Sequence, residues 1–536
     1  MVNHVIMMQL NSQPKLIEPP AGELVEAFAA IVGRDHVAFG PAARTAYSRD
    51  LWPRTTLQME GGEFEYPPLL VVWPGSVEEV RAAVLEAMKQ NLPVVPYGAG
   101  SGVAGGAAPS QGGVVLDLKR LDQVLYLDEV SHLVTAEAGI VGEIFERELN
   151  RRGFTLGHFP SSIYCSSLGG WLAARSAGQL SAKYGKIEDM VKSLQVVLPD
   201  GRLLETLTVP RVAGSPDWNQ VFVGSEGTLG VITRATLRVW PYPASRRFQA
   251  FLFPSISSGL QAFREMLQSD LRPAAMRLYD PVDTFFSGKA KTMEHALPAE
   301  EPARRSLEEI SHDEGRHREK KDRLGYLPRR LMPFLFQPRL VNLLLDRPKV
   351  CKMVLTFEGE PEITALELAQ AQRIGAKLLA KDLGEGPARH WWEKRYQVSY
   401  AMSVAFDLGL FADTIEVATL WENLENLYQA IRQAIQPHAF VMAHFSHAYP
   451  QGCSIYFTFS AGGRTLKQRI ERYDRIWEAA LNACVETGGT ITHHHGVGLL
   501  KAKWLKKEQG GAHPILLGLK QTLDPKGLMN PGKLGI

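Results

Sequence analysis

Apolar residues recur along this chain with more than one period. Leu24, Val25, Phe28 and Ile31 fall at helical intervals, so the segment 21–60 is expected to be a helical entry that packs on the body of the protein. From Pro67 to about Pro243 the pattern shortens to β-rich runs: LLVVWP, VVPYG, VVLDL, LVTAEAG, LQVVLPDG and VITRATLRVWP. Glycine clusters and helical stretches such as SVEEVRAAVLEAMKQ separate them. Between about 245 and 485 longer amphipathic helices alternate with strands, and from Gly488 the chain returns to glycine and histidine. The pattern predicts an α+β protein with an N-terminal helical extension over 1–60, a first domain over 61–244, a second over 245–487 and a tail over 488–536. A charge-dense stretch, 299–346, reads as an insertion in the second domain.

Length supports the division, because 536 residues exceed what one ordinary core organises. The apolar fraction of 45% and the charged fraction of 22% are those of a globular chain, and a net charge of +2 gives no general attraction to nucleic acid. Cys165, Cys351, Cys453 and Cys484 show neither CxxC nor zinc-finger spacing, which suits a reducing, cytoplasmic setting. The N-terminus lacks a basic segment followed by a long apolar run. No stretch reaches the roughly 18 uninterrupted apolar residues of a spanning helix.

Three glycine-rich segments carry the candidate chemistry. In LPVVPYGAGSGVAGGAAPSQGGVVLDL, Gly100, Gly102 and Gly105 have GxGxxG spacing after a strand. A Rossmann loop would then open a helix, yet Pro109, Gly112, Gly113 and another strand follow. What remains is either a flexible turn or a strand-to-strand loop whose N–H groups form a nest for a diphosphate. The second segment, SSLGGWLAARSAGQLSAKYGKIEDMVKSLQVVLPDGRLLE, puts Ser166, Ser167, Gly169 and Gly170 at a helix start and Gly178, Tyr184, Gly185 and Asp189 before a strand. In the third, VGSEGTLGVITRATLRVWP, Gly224, Gly227 and Gly230 punctuate a strand entry.

In order and spacing these segments resemble the FAD-binding domain of the vanillyl-alcohol oxidase superfamily, the FAD-linked oxidases with a PCMH-type FAD-binding domain. LDPKGLMNPGKL resembles that family's C-terminal return to the flavin. The resemblance implies a two-subdomain FAD-binding domain plus an α+β cap domain with an antiparallel sheet flanked by helices. It also implies that Pro96, Tyr97, Gly98, Ala99, Gly100, Ser101, Gly102 and Val103 cradle the diphosphate. Ser166, Ser167, Gly169 and Gly170 would lie near the isoalloxazine, with His158 on the flavin-facing wall. Gly178, Tyr184, Gly185, Glu226, Gly230 and Asn530 would join the cofactor site, and Val231, Ile232 and Thr233 would pass the adenine side. Some relatives attach FAD through a histidine of the first loop. None occurs between Pro96 and Gly113, so noncovalent, dissociable FAD is expected.

FTLGHFPSSIYCSSLGGW, IEDMVKSLQVVLPDG, PAAMRLYD, CSIYFTF and THHHGVGLLKAKW are similar, in that order, to motifs of the alkyldihydroxyacetonephosphate synthase family, which makes the ether bond of ether lipids. The resemblance implies an exchange of an acyl chain for a fatty alcohol on a lipid-like substrate, with no net electron transfer. Such chemistry removes a proton from carbon, releases a carboxylate and activates an alcohol, tasks suited to histidine and tyrosine. By the resemblance Tyr456 activates the alcohol, His493, His494 and His495 form the catalytic loop, and Arg277 lies near the substrate. The residues themselves leave plainer readings open. In an extended segment only His493 and His495 share a face, which makes His494 structural. Tyr456 sits at an alternating strand position where aromatics are commonly core, and Arg277 can equally pair with Asp280.

One position departs from the family. Where relatives carry an arginine expected to hold the substrate's phosphate, this chain has Phe406, before Asp407. Either Arg395 or a lysine takes over, or the substrate lacks the phosphate. The competing function is an FAD-dependent dehydrogenase or oxidase of a 2-hydroxy acid of the D-lactate or glycolate type, in which His444 and His447 with His493 or His495 hold a divalent metal. The synthase reading assigns no metal. A third reading is a flavin-bound interaction protein without activity. Within the insertion, Arg323, Arg329 and Arg330 precede Leu331, Met332, Phe334, Leu335 and Phe336, an interfacial pattern open to peripheral membrane docking through 323–346; the acidic residues Glu301, Glu308, Glu309, Asp313, Glu314 and Glu319 leave a solvated surface helix, or a lid, equally open. A homodimer is compatible with the sequence.

Overall fold

The computed structural model describes residues 20–62, 65–294, 342, 349–397, 406 and 409–536. The docking expectation for 323–346 lies outside them, save for Asn342, a buried residue whose amide donates to the carbonyls of Gln436 and Ala439.

The first domain begins as a four-stranded sheet. Strands β1 (Val37–Ala38), β2 (Leu70–Val72), β3 (Val94–Tyr97) and β4 (Val114–Asp117) lie in the order β1-β2-β4-β3, and β2, β4 and β3 are mutually parallel. Burial of β2 and β4 on both faces explains why LVV and VVL read as unbroken apolar runs. The entry helix Gly22–Val32 is part of this layer, since Phe28 and Val32 share a core with Leu70, Val72, Val80 and Val84. Ser76 caps the neighbouring helix Val77–Lys89 by accepting from Glu79 N–H.

A second sheet follows from β5 (Val124–Asp128), β6 (Leu133–Glu137), β8 (Val191–Val197), β9 (Leu203–Glu205) and β10 (Val231–Arg238), ordered β5-β6-β10-β8-β9 and antiparallel throughout. The short strands β7 (Phe154–Thr155) and β11 (Trp240–Pro241) pair with each other. The chain's tail comes back to the first sheet. Val94 N–H donates to the Leu528 carbonyl, and Asn530 N–H donates to that of Val94.

The second domain is built on one antiparallel sheet of seven strands: β12 (Ser245–Phe253), β13 (Ala275–Tyr279), β14 (Cys351–Gly359), β15 (Lys381–Gly384), β16 (Leu410–Leu420), β17 (Phe440–Ala448) and β18 (Gly452–Gly462). Their order is β15-β12-β14-β13-β17-β18-β16. Side-chain alternation gives the sheet two characters. One face presents Ile415, Val417, Phe445, Phe457 and Phe459 to the helices Leu424–Ile435 and Leu466–Glu486. Asp413 is buried there too, accepting from Tyr473 Oη (2.6 Å), Trp477 Nε1 (3.2 Å) and Thr414 N–H (2.7 Å). The opposite face carries Arg277, Thr414, Glu416, His444 and Tyr456 and turns toward the first domain.

Candidate active site

The loop from β3 to β4 opens no helix. Among the described residues, the N–H groups of Gly98 to Val103 have no hydrogen-bond acceptor, which leaves a run of donors free for an anion. Gly98 approaches the helix Leu168–Ala174 so closely that a Cβ there would lie 2.2 Å from Ser167 Oγ, and Ser167 caps that helix by accepting from Gly170 N–H. Gly100 adopts a left-handed conformation over the ring of Tyr97. Ser166 accepts from Trp171 Nε1 (2.7 Å), and His158 stands 4.7 Å from the Trp171 ring. His158 is fully enclosed, with no partner on either ring nitrogen, and burial depresses its pKa to about 3. Free N–H donors, a glycine cradle and an orphaned buried imidazole are features a bound flavin dinucleotide would satisfy.

The other residues expected at the cofactor site offer backbone or lock the loops together. A Cβ on Gly178 would strike the Phe159 N–H, so this glycine lets the His158 segment pack inward. Tyr184 donates to Glu358 across the domain boundary (2.9 Å), while Gly185, at positive φ, abuts Asp189. The side chains of Val231 and Ile232 belong to hydrophobic cores, leaving only their backbone to meet a ligand, and Gly230 presses on Val196 and Val197. Glu226 accepts from the N–H groups of Val497 (2.5 Å) and Gly498 (2.8 Å), and Asn530 donates to the carbonyls of Glu226 and Gly106.

Tyr456 stands in register with Glu416 of β16 on one side and His444 of β17 on the other, so the three side chains share a face. Its ring stacks on His444 at 5.0 Å. Its hydroxyl lies 3.1 Å from His495 Nε2 and accepts from Thr414 Oγ1 at 3.1 Å. The histidine segment runs off the edge strand: Thr490 N–H donates to Ala418, and the chain then bends through His493, His494 and His495. Bending removes the alternation that would have turned His494 away. Its ring lies 4.7 Å from that of His447 and 6.1 Å from that of Tyr456, and its Nδ1 is 3.0 Å from His493 Nδ1. His493 Nε2 meets Tyr449 Oη at 3.0 Å, and Lys186 Nζ donates to the His493 carbonyl at 2.6 Å.

His447 joins the cluster for a local reason. It sits at a bulge in β17 with φ +50°, which re-aims a side chain that strict alternation would send to the helix face, and its Nδ1 reaches Ser181 Oγ at 2.7 Å. Arg277 does not pair with Asp280, whose partners are Arg432 (3.3 Å) and Tyr428 (3.0 Å). The Arg277 guanidinium instead meets His444 Nε2 at 2.8 Å, and Asp283 lies 3.4 Å from His444 Nδ1. Arg395 sits over the rings of Trp392 (3.8 Å) and Tyr396 (4.3 Å) and donates to the Trp392 carbonyl and to Tyr396 Oη rather than to the histidines. Phe406 is helical and packs against the cap's core. Among the described residues no group of three or more His, Cys, Asp or Glu is disposed to hold a metal ion.

Burial sets the protonation of the cluster. Desolvation takes His493 down to about 3 and His495 to about 4, and holds His444, His447 and His494 well below the usual imidazole range, so all five are neutral near pH 7. Burial pushes the Tyr456 phenol up to about 12. For Glu416 burial acts upward, but the Lys501 ammonium, the Thr492 hydroxyl and the His493 N–H overcome it and keep the carboxyl well below its ordinary range. Sequence reasoning passed over Glu416 and Lys501. The available signal was two acidic residues, Asp413 and Glu416, inside the otherwise uncharged strand DTIEVATL, polar groups that have to find partners.

Comparison with known proteins gives a consistent placement. The FAD binding domain model matches residues 68–207, and that of the FAD linked oxidases, C-terminal domain, matches 242–534. The alkyldihydroxyacetonephosphate synthase of Dictyostelium discoideum is 30% identical over 97% of this chain and 82% of its own length. That of Trypanosoma brucei brucei is 29% identical over 97% and 81%. A probable mitochondrial D-lactate dehydrogenase of Danio rerio is 27% identical over 95% of this chain and 91% of its own. A solved alkyldihydroxyacetonephosphate synthase structure superposes with a TM-score of 0.75 at 28% identity, covering 97% of this chain and 87% of that one. p-Cresol methylhydroxylase with substrate bound shares the fold, with a TM-score of 0.71 at 15% identity over 96% of each chain.

Proposed function

The chain belongs to the FAD linked oxidases and, within them, to the alkyldihydroxyacetonephosphate synthase family, and on that premise we propose that it exchanges the acyl chain of an acyl dihydroxyacetone phosphate for a fatty alcohol. The reaction breaks the bond between C1 and the acyl oxygen, forms one between C1 and the alcohol oxygen, and releases a carboxylate and a proton. The cofactor is FAD held without a covalent bond in the nest of Gly98 to Val103 and against His158. Bound there, FAD supplies a carbon-binding handle that stabilises the substrate while its acyloxy group leaves, with no net gain or loss of electrons.

The observation that carries this reading is the Tyr456 hydroxyl, held between Thr414 and a neutral His495 on the polar face of the cap sheet. A phenol pushed up to about 12 keeps its proton at neutral pH and hydrogen-bonds an alcohol oxygen without ionising. His495, kept neutral by burial, accepts the proton that the alcohol gives up through Tyr456. His493, His494 and His447 line the same space as neutral donors and acceptors, so a departing carboxylate meets hydrogen bonds rather than fixed negative charge. With Phe406 in place of the family's arginine, Arg277 beside His444 and Arg395 over Trp392 are the cations we assign to the phosphate.

The test uses purified holoenzyme under anaerobic conditions. Acyl dihydroxyacetone phosphate with labelled hexadecanol should release one fatty acid for each labelled alkyl product, with the flavin oxidised at the end. Bleaching of the flavin by D-lactate or glycolate, with no alkyl product, would transfer the assignment to a hydroxy-acid dehydrogenase.

A further inference from the structure

Two side chains hydrogen-bond the Tyr456 hydroxyl. The Thr414 hydroxyl donates to its oxygen, and His495 Nε2 lies 3.1 Å away; with the phenol proton directed at that nitrogen, Nε2 offers the lone pair. In a neutral imidazole the hydrogen then sits on Nδ1. That atom is buried and without a hydrogen-bond partner, and it faces Glu416 Oε1 at 3.9 Å. Glu416 itself is fully enclosed. Its carboxylate accepts from the N–H groups of His493 and His495, from Thr492 Oγ1 (2.7 Å) and from Lys501 Nζ (3.0 Å).

We propose that Glu416 is the positioning residue of the proton relay: it clamps the His493–His495 bend through alternate N–H groups, holds His495 as the Nδ1–H tautomer, and stabilises the imidazolium formed when Nε2 takes the proton from Tyr456. Lys501 has the complementary task. With its ammonium 3.0 Å away, the carboxylate keeps its charge in a site that would otherwise protonate it. No group is oxidised: one proton moves from the Tyr456 oxygen to His495 Nε2, and the alcohol's proton restores the phenol. The inference rests on Tyr456 handling the alcohol's proton, but the tautomer does not depend on which substrate is used.

Three measurements separate the claims. In holoenzyme labelled with [15N]histidine, the resonances lost in His495→Asn identify His495; they should show a pyrrole-type Nδ1 and a pyridine-type Nε2. A pyridine-type Nδ1 in the wild type overturns the proposal whatever reaction is catalysed. In the exchange assay, Glu416→Gln should lower kcat by about 10²-fold with KM nearly unchanged and FAD retained. Because Gln leaves Lys501 buried and unpaired, the double variant Glu416→Gln, Lys501→Met serves as a folded control with both charges removed. It should bind FAD like the wild type yet remain as slow as the single variant, whereas recovery of wild-type kcat would reduce Glu416 to scaffold. The pH profile gives a third reading, taken against the titratable and charged groups that act on His495: Glu416, Lys501, Tyr456, His493 and His494. Its acid limb should move to lower pH in Glu416→Gln, because the imidazolium loses its stabilising anion; an unmoved limb counts against the proposal.

Discussion

Replacing Tyr456 with phenylalanine removes one oxygen and leaves the ring on His444, in register between β16 and β17. Two bonds go with it: the one to His495 Nε2 and the one from Thr414 Oγ1, both 3.1 Å. The threonine hydroxyl can rotate to another acceptor, whereas the imidazole nitrogen stays enclosed. The loss in stability should therefore be that of one orphaned buried acceptor, about 1–3 kcal/mol. Loss of proton transfer should cost far more in rate, about 10²–10⁴ in kcat, while KM stays close to wild type because the ring still fills its place. The assay is alkyl exchange with labelled fatty alcohol, with flavin absorbance confirming full occupancy and thermal unfolding measured in parallel. A fully flavinated variant with kcat within about threefold of wild type would refute the argument, since a general acid or base is worth more than that.

Denaturing the holoenzyme with acid should leave intact FAD in the supernatant, because the first loop has no histidine to bind it covalently; flavin in the pellet would contradict this. Gly98→Ala should push Ser167 and the helix it caps away from the loop at about 1–3 kcal/mol, lowering FAD affinity by roughly ten- to a hundredfold, measured by flavin fluorescence titration of the folded apoprotein. His495 has a folded pKa of about 4 against about 6.5 unfolded, so between these values the unfolded chain binds more protons and stability falls as pH falls. Buried Asp280 and Asp413, both raised to about 7 chiefly by desolvation, act in the opposite direction, so the effect has to be isolated against His495→Asn. That variant should gain about 2 kcal/mol on the wild type between pH 7 and pH 5 in urea unfolding.

Features written locally were legible in the sequence. Parallel strands buried on both faces read as unbroken apolar runs. The glycine loop declared itself strand-to-strand because Pro109 and Gly113 left no room for a helix. In the folded strands Thr414, Glu416 and Tyr456 stand on the face opposite Asp413, Ile415 and Phe457, though in the sequence Tyr456 alone stands out, and there as a position where aromatics are commonly core. Nothing local, however, said that β16 would pair with β18 in the register that sets Glu416 beside Tyr456. Side-chain alternation misled where the backbone departs from a straight strand. The bend through His493–His495 brings His494 inward, whereas His447, grouped with the histidines from the sequence, reaches the site face only because a bulge turns its ring there. Arg277 appeared to have a ready partner in Asp280 three residues on. The partner that prevailed, Arg432, comes from a helix more than a hundred residues away.

The cofactor cradle and the proton relay are parts of one construction. Gly498, at positive φ, leaves only 2.0 Å between a would-be Cβ and the Ala104 carbonyl, so the histidine bend ends pressed onto the end of the first glycine loop. Leu499 and Leu500 N–H groups both donate to that carbonyl, and Glu226 holds the N–H groups of Val497 and Gly498 from the third glycine segment. Asn530, from the returning tail, binds the carbonyls of Gly106 and Glu226 and so ties the first loop to the third. Glu416 fixes the start of the bend and Glu226 fixes its end, each buried carboxylate using backbone N–H groups that a tight turn would otherwise leave unpaired. On the proposed function, a displacement of the Gly98–Val103 loop would therefore reach His495 within a few residues, and because an ångström of misplacement costs about 10²-fold in rate, the loops assigned to the flavin would also set the geometry of proton transfer.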